Sequence, residues 1–167
     1  MATIDATVGG ASANSYLTNA EATVFLETHA LYNTWWSEDT LQGNKLIEAT
    51  RLLDEYVDWK GTINGATQAL RWPRTGALNR DEQVIAADTI PEGVKRATAV
   101  FAAELLAEDR QAERDDTGIR SVSVAGAVSV NFDKTDKKKV IPESVRSIIR
   151  EFGTVIGWGS QAKVVRG

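Results

Sequence analysis

Leu46, Ala49, Leu53, Tyr56 and Val57 recur at three- and four-residue steps, with Leu52 widening the stripe and Glu48, Asp54, Glu55 and Asp58 between them. A stripe of that period must bury one face of a helix, and it predicts one over about 38–59 that stops at Gly61. Two more stripes repeat the demand. Val94, Ala97, Phe101 and Leu105, broadened by Ala102 and Leu106, follow Pro91, which the first turn of a helix tolerates. That helix is predicted to end near the charged run Glu108–Asp116, closed by Gly118. Val145, Ile148, Ile149 and Phe152 follow Pro142 in the same way. A further helix is predicted at about 19–30 from the capping box Thr18-Asn19-Ala20-Glu21, with Val24, Phe25 and Thr28 on its buried face.

The segments between the stripes follow other rules. Residues 60–90 are rich in turn formers, including Gly61, Asn64, Gly65, Pro73 and Gly76. Within them Arg71-Trp72-Pro73-Arg74 stands out, because Pro73 holds Trp72 out of helical geometry and suits it to pinning a loop onto a helical core. Packing of this structural loop, Trp72, Pro73 and Arg74, within its own subunit is the favoured reading. From Arg120 to Phe132 the period changes to two. An odd-length loop at Ala125-Gly126-Ala127 would pair Val124 with Val128 and Val122 with Val130 on one face. A lone two-stranded hairpin is marginal in water, so Val122, Val124, Val128, Val130 and Phe132 are expected to meet the bundle or a neighbouring subunit. Met1–Ser15 reads as an extended arm, and the Gly-rich end from Gly153 to Gly167 as a second. The expected fold is therefore mainly α: a small bundle of about four helices at 16–152, one protruding β-hairpin at about 120–132, and extended N- and C-terminal arms.

The chain excludes much chemistry. It has no cysteine and one histidine, His29, so thiolate zinc sites, cysteine nucleophiles and multi-histidine metal sites cannot be built within it. His29 reads as a helix-terminal side chain without a nucleophile nearby. Neither a catalytic constellation nor a cofactor or metal site can be assembled, and the protein is expected not to be an enzyme. No run is long enough to span a bilayer and the first ten residues lack signal-peptide character, so no membrane association is expected.

A net charge of -4 argues against a protein whose main task is gripping nucleic acid. Trp35, Trp36, Trp59, Trp72 and Trp158 suit core and interface packing better than base stacking, since Glu38, Asp39 and Asp58 lie beside them. Lys134, Lys137, Lys138 and Lys139 form the one basic cluster, read as a solvated linker or a partner contact, with DNA contact as the alternative. Asp133–Lys137 lacks the glycine and glutamate of a calcium loop, and Gly157-Trp158-Gly159 is not a phosphate loop.

Four fragments carry a resemblance: Ala13-Asn14-Ser15-Tyr16, Ala49-Thr50-Arg51-Leu52-Leu53-Asp54, Gln68-Ala69-Leu70-Arg71-Trp72-Pro73-Arg74, and Ile90-Pro91-Glu92-Gly93-Val94-Lys95-Arg96-Ala97-Thr98. In this order they resemble a family of small tailed-phage proteins, often labelled DnaT-like single-stranded-DNA-binding and related to head-completion or head–tail adaptor proteins. The resemblance spans about residues 9–132 and is most specific in the Gln-x-Leu-x-Trp-Pro-Arg segment. It implies a virion protein, made in the host cytoplasm, that forms a homo-oligomeric ring of twelve on the portal at the neck. Such a ring extends the channel through which double-stranded DNA passes without sequence-specific contact, and it offers a surface to a tail, stopper or tail-terminator protein. By position, Trp158, Gln161, Lys163, Val164, Val165 and Arg166 would dock on the portal. The label implies the alternative, a single-stranded-DNA-binding protein.

Overall fold

The periodic stretches build a helical core around one nearly encircled helix. In the computed structural model, which describes residues 3–38, 40–108, 121–124, 128–131 and 139–156, that helix is α4 (Glu92–Ala107). Val94, Ala97, Thr98, Ala99, Phe101, Ala102, Ala103 and Leu105 are all buried, so almost its whole circumference is covered. Its alanines let neighbouring backbones approach closely. Around it pack α1 (Asn19–Leu26), α2 (Ala30–Glu38), α3 (Gln42–Tyr56) and α5 (Glu143–Ile149). The described part of the protein is thus mainly helical, with small two-stranded sheets.

The three apolar stripes fall where the sequence puts them. Leu46, Ala49, Leu52, Leu53 and Val57 are buried along α3 and just beyond it, and Val145, Ile149 and Phe152 behind Pro142. The ends differ. The helix expected to run on to residue 59 stops at Tyr56, and Val57–Trp59 forms β1, which pairs antiparallel with β6 (Gly153–Val155) as Val57↔Val155 and Trp59↔Gly153. Gly61 accordingly does not end a helix. Its φ of +75° turns the chain from β1 into β2 (Thr62–Ile63), which pairs with β3 (Arg74–Thr75).

The first predicted helix divides in two. The capping box forms as read, with Thr18 accepting from the Glu21 backbone N–H and Glu21 accepting from that of Thr18. The helix then stops at Leu26, and α2 begins at Ala30. Its buried face is Ala22 and Leu26 with Phe25 beside them, while Val24 is 65% exposed and Thr28 is exposed. Two contacts fix that rotation. Glu21 meets Lys95 of α4 at 2.6 Å, and the Trp36 indole N–H donates to Thr23 Oγ1 at 2.9 Å.

The expected arms also differ from free ones. Residues 3–15 run along the body: the Asp5 N–H donates to Asn14 Oδ1 at 2.8 Å, the Asn14 amide donates to Thr3 O at 3.0 Å, and the Ala69 N–H donates to Gly10 O at 3.1 Å. Gly153–Val155, expected to begin a tail, is a strand of the fold because Gly153 alone fits there. A Cβ on it would lie 2.7 Å from Asp58 O and from Val57 Cγ1.

β4 (Ser121–Val124) and β5 (Val128–Asn131) pair antiparallel with Val122 opposite Val130 and Val124 opposite Val128, the register of an odd-length connection. Phe132, Lys134, Lys137 and Lys138 lie outside the described residues. So does the proposed docking set Trp158, Gln161, Lys163, Val164, Val165 and Arg166.

Candidate functional site

Three of the four fragments that carry the resemblance converge in space, and Asp54, on α3, is their meeting point. Its carboxylate accepts from the Tyr16 hydroxyl, from the Trp59 indole N–H at 3.2 Å and from the Arg71 backbone N–H at 3.0 Å. One turn earlier, Thr50 Oγ1 accepts from the Tyr16 backbone N–H at 3.3 Å. The first, second and third fragments are thereby tied together. Burial raises the pKa of Asp54, and the three donors offset part of that rise. Burial, then the Asp54 charge, pushes the Tyr16 phenol well above its ordinary value.

The Gln68–Arg74 segment closes on itself in the same way. Gln68 Oε1 accepts from the Gly65 N–H at 2.8 Å, and its amide donates to Leu70 O at 2.8 Å and Pro73 O at 3.0 Å. Trp72 is 1% exposed and sits edge-on to Trp59 and to Phe152, with ring centroids 6.0 and 6.2 Å apart. The Trp72–Pro73 peptide bond is cis. The Arg74 guanidinium donates to four backbone carbonyls: Lys60 at 2.7 Å, Gly61 at 2.6 Å, Arg71 at 3.2 Å and Trp59 at 3.3 Å. Trp72, Pro73 and Arg74 are therefore a clasp within the subunit. The fourth fragment packs likewise, with Val94 buried, Gly93 against the Phe152 ring and Lys95 on Glu21.

Function has to reside on what remains exposed. Lys60, Arg80, Arg96 and Arg150 line an open groove of about 920 Å³ between α5, α4 and the loop before α4. Glu82 and Glu151 also line it, as do Leu78 and Ile148, and no aromatic ring does. Sequence reading missed these four cations, since they come from separate stretches of chain and only tertiary structure gathers them.

Among the described residues, an aromatic cluster that includes an exposed ring lies away from the groove's lining. His29, exposed between α1 and α2, stacks on Tyr32 with centroids 4.0 Å apart, and Tyr32 meets the half-buried Trp35 at 5.5 Å. Tyr32 also donates to Glu104 of α4 at 2.9 Å, where Ser144 of α5 bonds the same carboxylate oxygen. Trp36, Trp59 and Trp72 are core residues, each 5% exposed or less. Of the expected basic cluster, Lys139 is described: it is exposed and stands 3.6 Å from Glu143.

Among the described residues, no group of histidine, aspartate and glutamate side chains is arranged to hold a metal ion, and no helix is long and apolar enough to cross a membrane. No curated protein and no solved structure matches the chain. A family profile matches it over residues 2–167, and the chain belongs to the family described as "Putative DnaT-like ssDNA binding protein".

Proposed function

We propose that this protein is a structural component of a tailed-phage virion and not a catalyst: an adaptor that assembles as a ring beneath the portal at the head–tail junction. The ring extends the DNA channel and presents a surface to a tail, stopper or tail-terminator protein. What supports this reading against the family's description is that, among the described residues, the groove that gathers four cations has no aromatic lining. A single-strand binder interleaves aromatic platforms with basic side chains along one groove. Here the groove of Lys60, Arg80, Arg96 and Arg150 has no aromatic lining, and His29, Tyr32 and Trp35, which stack together, are not among the side chains that line it. A net charge of -4 adds to this, because a channel wall that gripped DNA tightly would act as a brake.

The single-strand reading keeps one observation in its favour, the four cations of the groove. The two readings part in one pair of measurements. Co-sedimentation with the purified portal ring of the same phage is expected to give one copy per portal subunit, twelve by the resemblance. Anisotropy of a labelled single-stranded oligonucleotide at physiological salt is expected to show no saturable binding. Saturable oligonucleotide binding with no portal binding would overturn the adaptor and leave the family's description standing as function.

A further inference from the structure

Many cations of this chain are already engaged. Lys45, Arg51, Lys95, Lys139 and Arg146 each stand against a carboxylate, and Arg74 is spent on four backbone carbonyls. The groove differs. Lys60, Arg80, Arg96 and Arg150 are exposed, and among the described residues none of them pairs with a carboxylate. Glu82 and Glu151 line the same groove and neutralise only part of that charge, which leaves its lining with an excess of two positive charges. Like charges gathered without counter-charges repel one another, and an arriving anion relieves that repulsion.

The backbones that carry these cations are fixed beforehand. The Lys60 N–H donates to Phe152 O at 2.8 Å, and the Lys60 carbonyl accepts from Arg74 at 2.7 Å. Arg96 stands on the central helix α4, and the Arg150 N–H donates to Arg146 O at 3.1 Å at the end of α5. The loop of Arg80 is held by Asn79, whose Oδ1 accepts from the Asp81 and Gln83 backbone N–H groups at 3.0 and 2.9 Å. A ligand would therefore have side chains to order there and little backbone. Apolar surface is held in place beside them. Leu78 lines the groove and sits opposite Val84 across an antiparallel bridge, so both project from one face, 40% and 73% exposed. Ile148 lines the α5 side and is half-buried. Apolar side chains kept in water beside unpaired charge mark an interaction surface.

An arginine fork suits a carboxylate as well as a phosphate. Two observations favour the carboxylate. Glu82 and Glu151 lie among the cations and would repel an unbroken row of phosphates, whereas a peptide can space its charges around them. Leu78, Val84 and Ile148 offer burial to an apolar side chain, and a phosphate backbone has none to bury. We propose that the groove docks an acidic segment of a partner protein, with its carboxylates on Arg80, Arg96 and Arg150 and an apolar side chain seated against Leu78 or Ile148. The inference rests on the adaptor reading for the place of that partner in the neck, and it names the chemistry such a partner has to present.

The test uses the full-length protein and a labelled peptide of alternating glutamate and leucine, followed by anisotropy at physiological salt. Saturable binding is expected, weakened about tenfold or more by Arg80→Glu/Arg96→Glu and severalfold by Val84→Ser. Arg96→Gln, a milder change, should weaken it in the same direction. Lys139→Glu alters an exposed cation outside the groove and should leave binding unchanged; circular dichroism checks that each variant keeps its fold. No saturable binding would overturn the inference. So would an equal loss in Lys139→Glu, which would reduce the attraction to net charge. A peptide of alternating glutamate and serine that bound as tightly would remove the case for protein over phosphate and overturn it too. Tighter binding of a duplex or single-stranded oligonucleotide, lost in Arg80→Glu/Arg96→Glu, would give the groove to nucleic acid and overturn it as well. Sedimentation with the portal ring separates the two readings. Assembly on the portal without peptide binding overturns the inference alone, whereas peptide binding by a protein that does not assemble supports the groove's chemistry and removes the adaptor.

Discussion

Arg74 distinguishes a structural clasp from a phosphate contact. Its guanidinium spans the carbonyls of Trp59, Lys60, Gly61 and Arg71, and so locks the β1–β2 turn to the loop that carries Trp72. Hydrogen bonds from a charged donor contribute about 1.5–3 kcal/mol each at full strength. Lys60, Gly61 and Arg71 are exposed, however, and water reaches their carbonyls once the side chain is gone. The two short bonds dominate what is left, and Arg74→Ala is expected to cost about 2–3 kcal/mol. In a domain of this size that lowers Tm by about 5–10 °C. Arg74→Lys should recover less than half, because one ammonium on a flexible stem cannot span carbonyls on both segments as the planar fork does. Urea unfolding of the three proteins, followed by tryptophan fluorescence, gives the comparison at constant m-value. An Arg74→Ala variant within about 0.5 kcal/mol of wild type, the range of an ordinary surface change, would refute the clasp. So would full recovery by lysine, since charge and not fork geometry would then be the active property.

Three further changes test the same node. Trp72→Ala is expected to cost about 3–5 kcal/mol by opening a cavity beneath Trp59 and Phe152; Trp72→Phe should cost clearly less, because the buried indole N–H has no hydrogen-bond partner to lose, and equal losses in urea unfolding would contradict that. Gly153→Ala should cost about 1–3 kcal/mol, since the new methyl meets the Asp58 carbonyl of β1 as well as the branched, buried Val57 side chain, neither of which can swing aside; unchanged stability would mean that β6 does not pair as described. For Asp54 the sign follows from burial. Its folded pKa lies above the ordinary 3.8, so the stability tied to its protonated form is complete below that value and is lost as pH rises through the folded pKa. The stability of wild type relative to Asp54→Asn should therefore fall over that window, and a difference that rises with pH in parallel urea titrations would reverse the assignment.

The parts of the fold that were legible in the sequence are those where one face decides. The stripes of α3, α4 and α5 each bury a continuous apolar row, and periodicity alone reveals such rows. α2 was not legible, because Tyr32, Asn33, Thr34, Trp35, Trp36 and Ser37 form no stripe. It is a helix held by its partners, through Trp36 on Thr23 and Tyr32 on Glu104, and short helices owe their stability to such packing. The rotation of α1 was misread for a related reason: eight residues with apolar side chains on several sides leave the direction to Lys95 and Trp36. At Val57–Trp59 a helical stripe and a strand alternation agree over three residues, and the choice was made by β6, far along the chain. The clasp was half legible. Pro73 and Trp72 gave its place, but that Arg74 spends its charge on four carbonyls follows from no local pattern.

That division bears on what family membership means here. Three of the fragments that carry the resemblance meet at Asp54, and their conspicuous polar groups, Asn14, Tyr16, Thr50, Gln68 and Arg74, are bonded within the chain. A residue so engaged specifies architecture. To touch a ligand through the same atoms it would have to break contacts that the fold depends on. Membership read from these residues therefore transmits a fold, and a ligand named in a family description has to be justified by surface chemistry in each member. In this chain that chemistry includes a groove lined by Lys60, Arg80, Arg96 and Arg150 together with Glu82 and Glu151, with no aromatic ring among its lining side chains. A single-strand binder requires rings and cations side by side along one track.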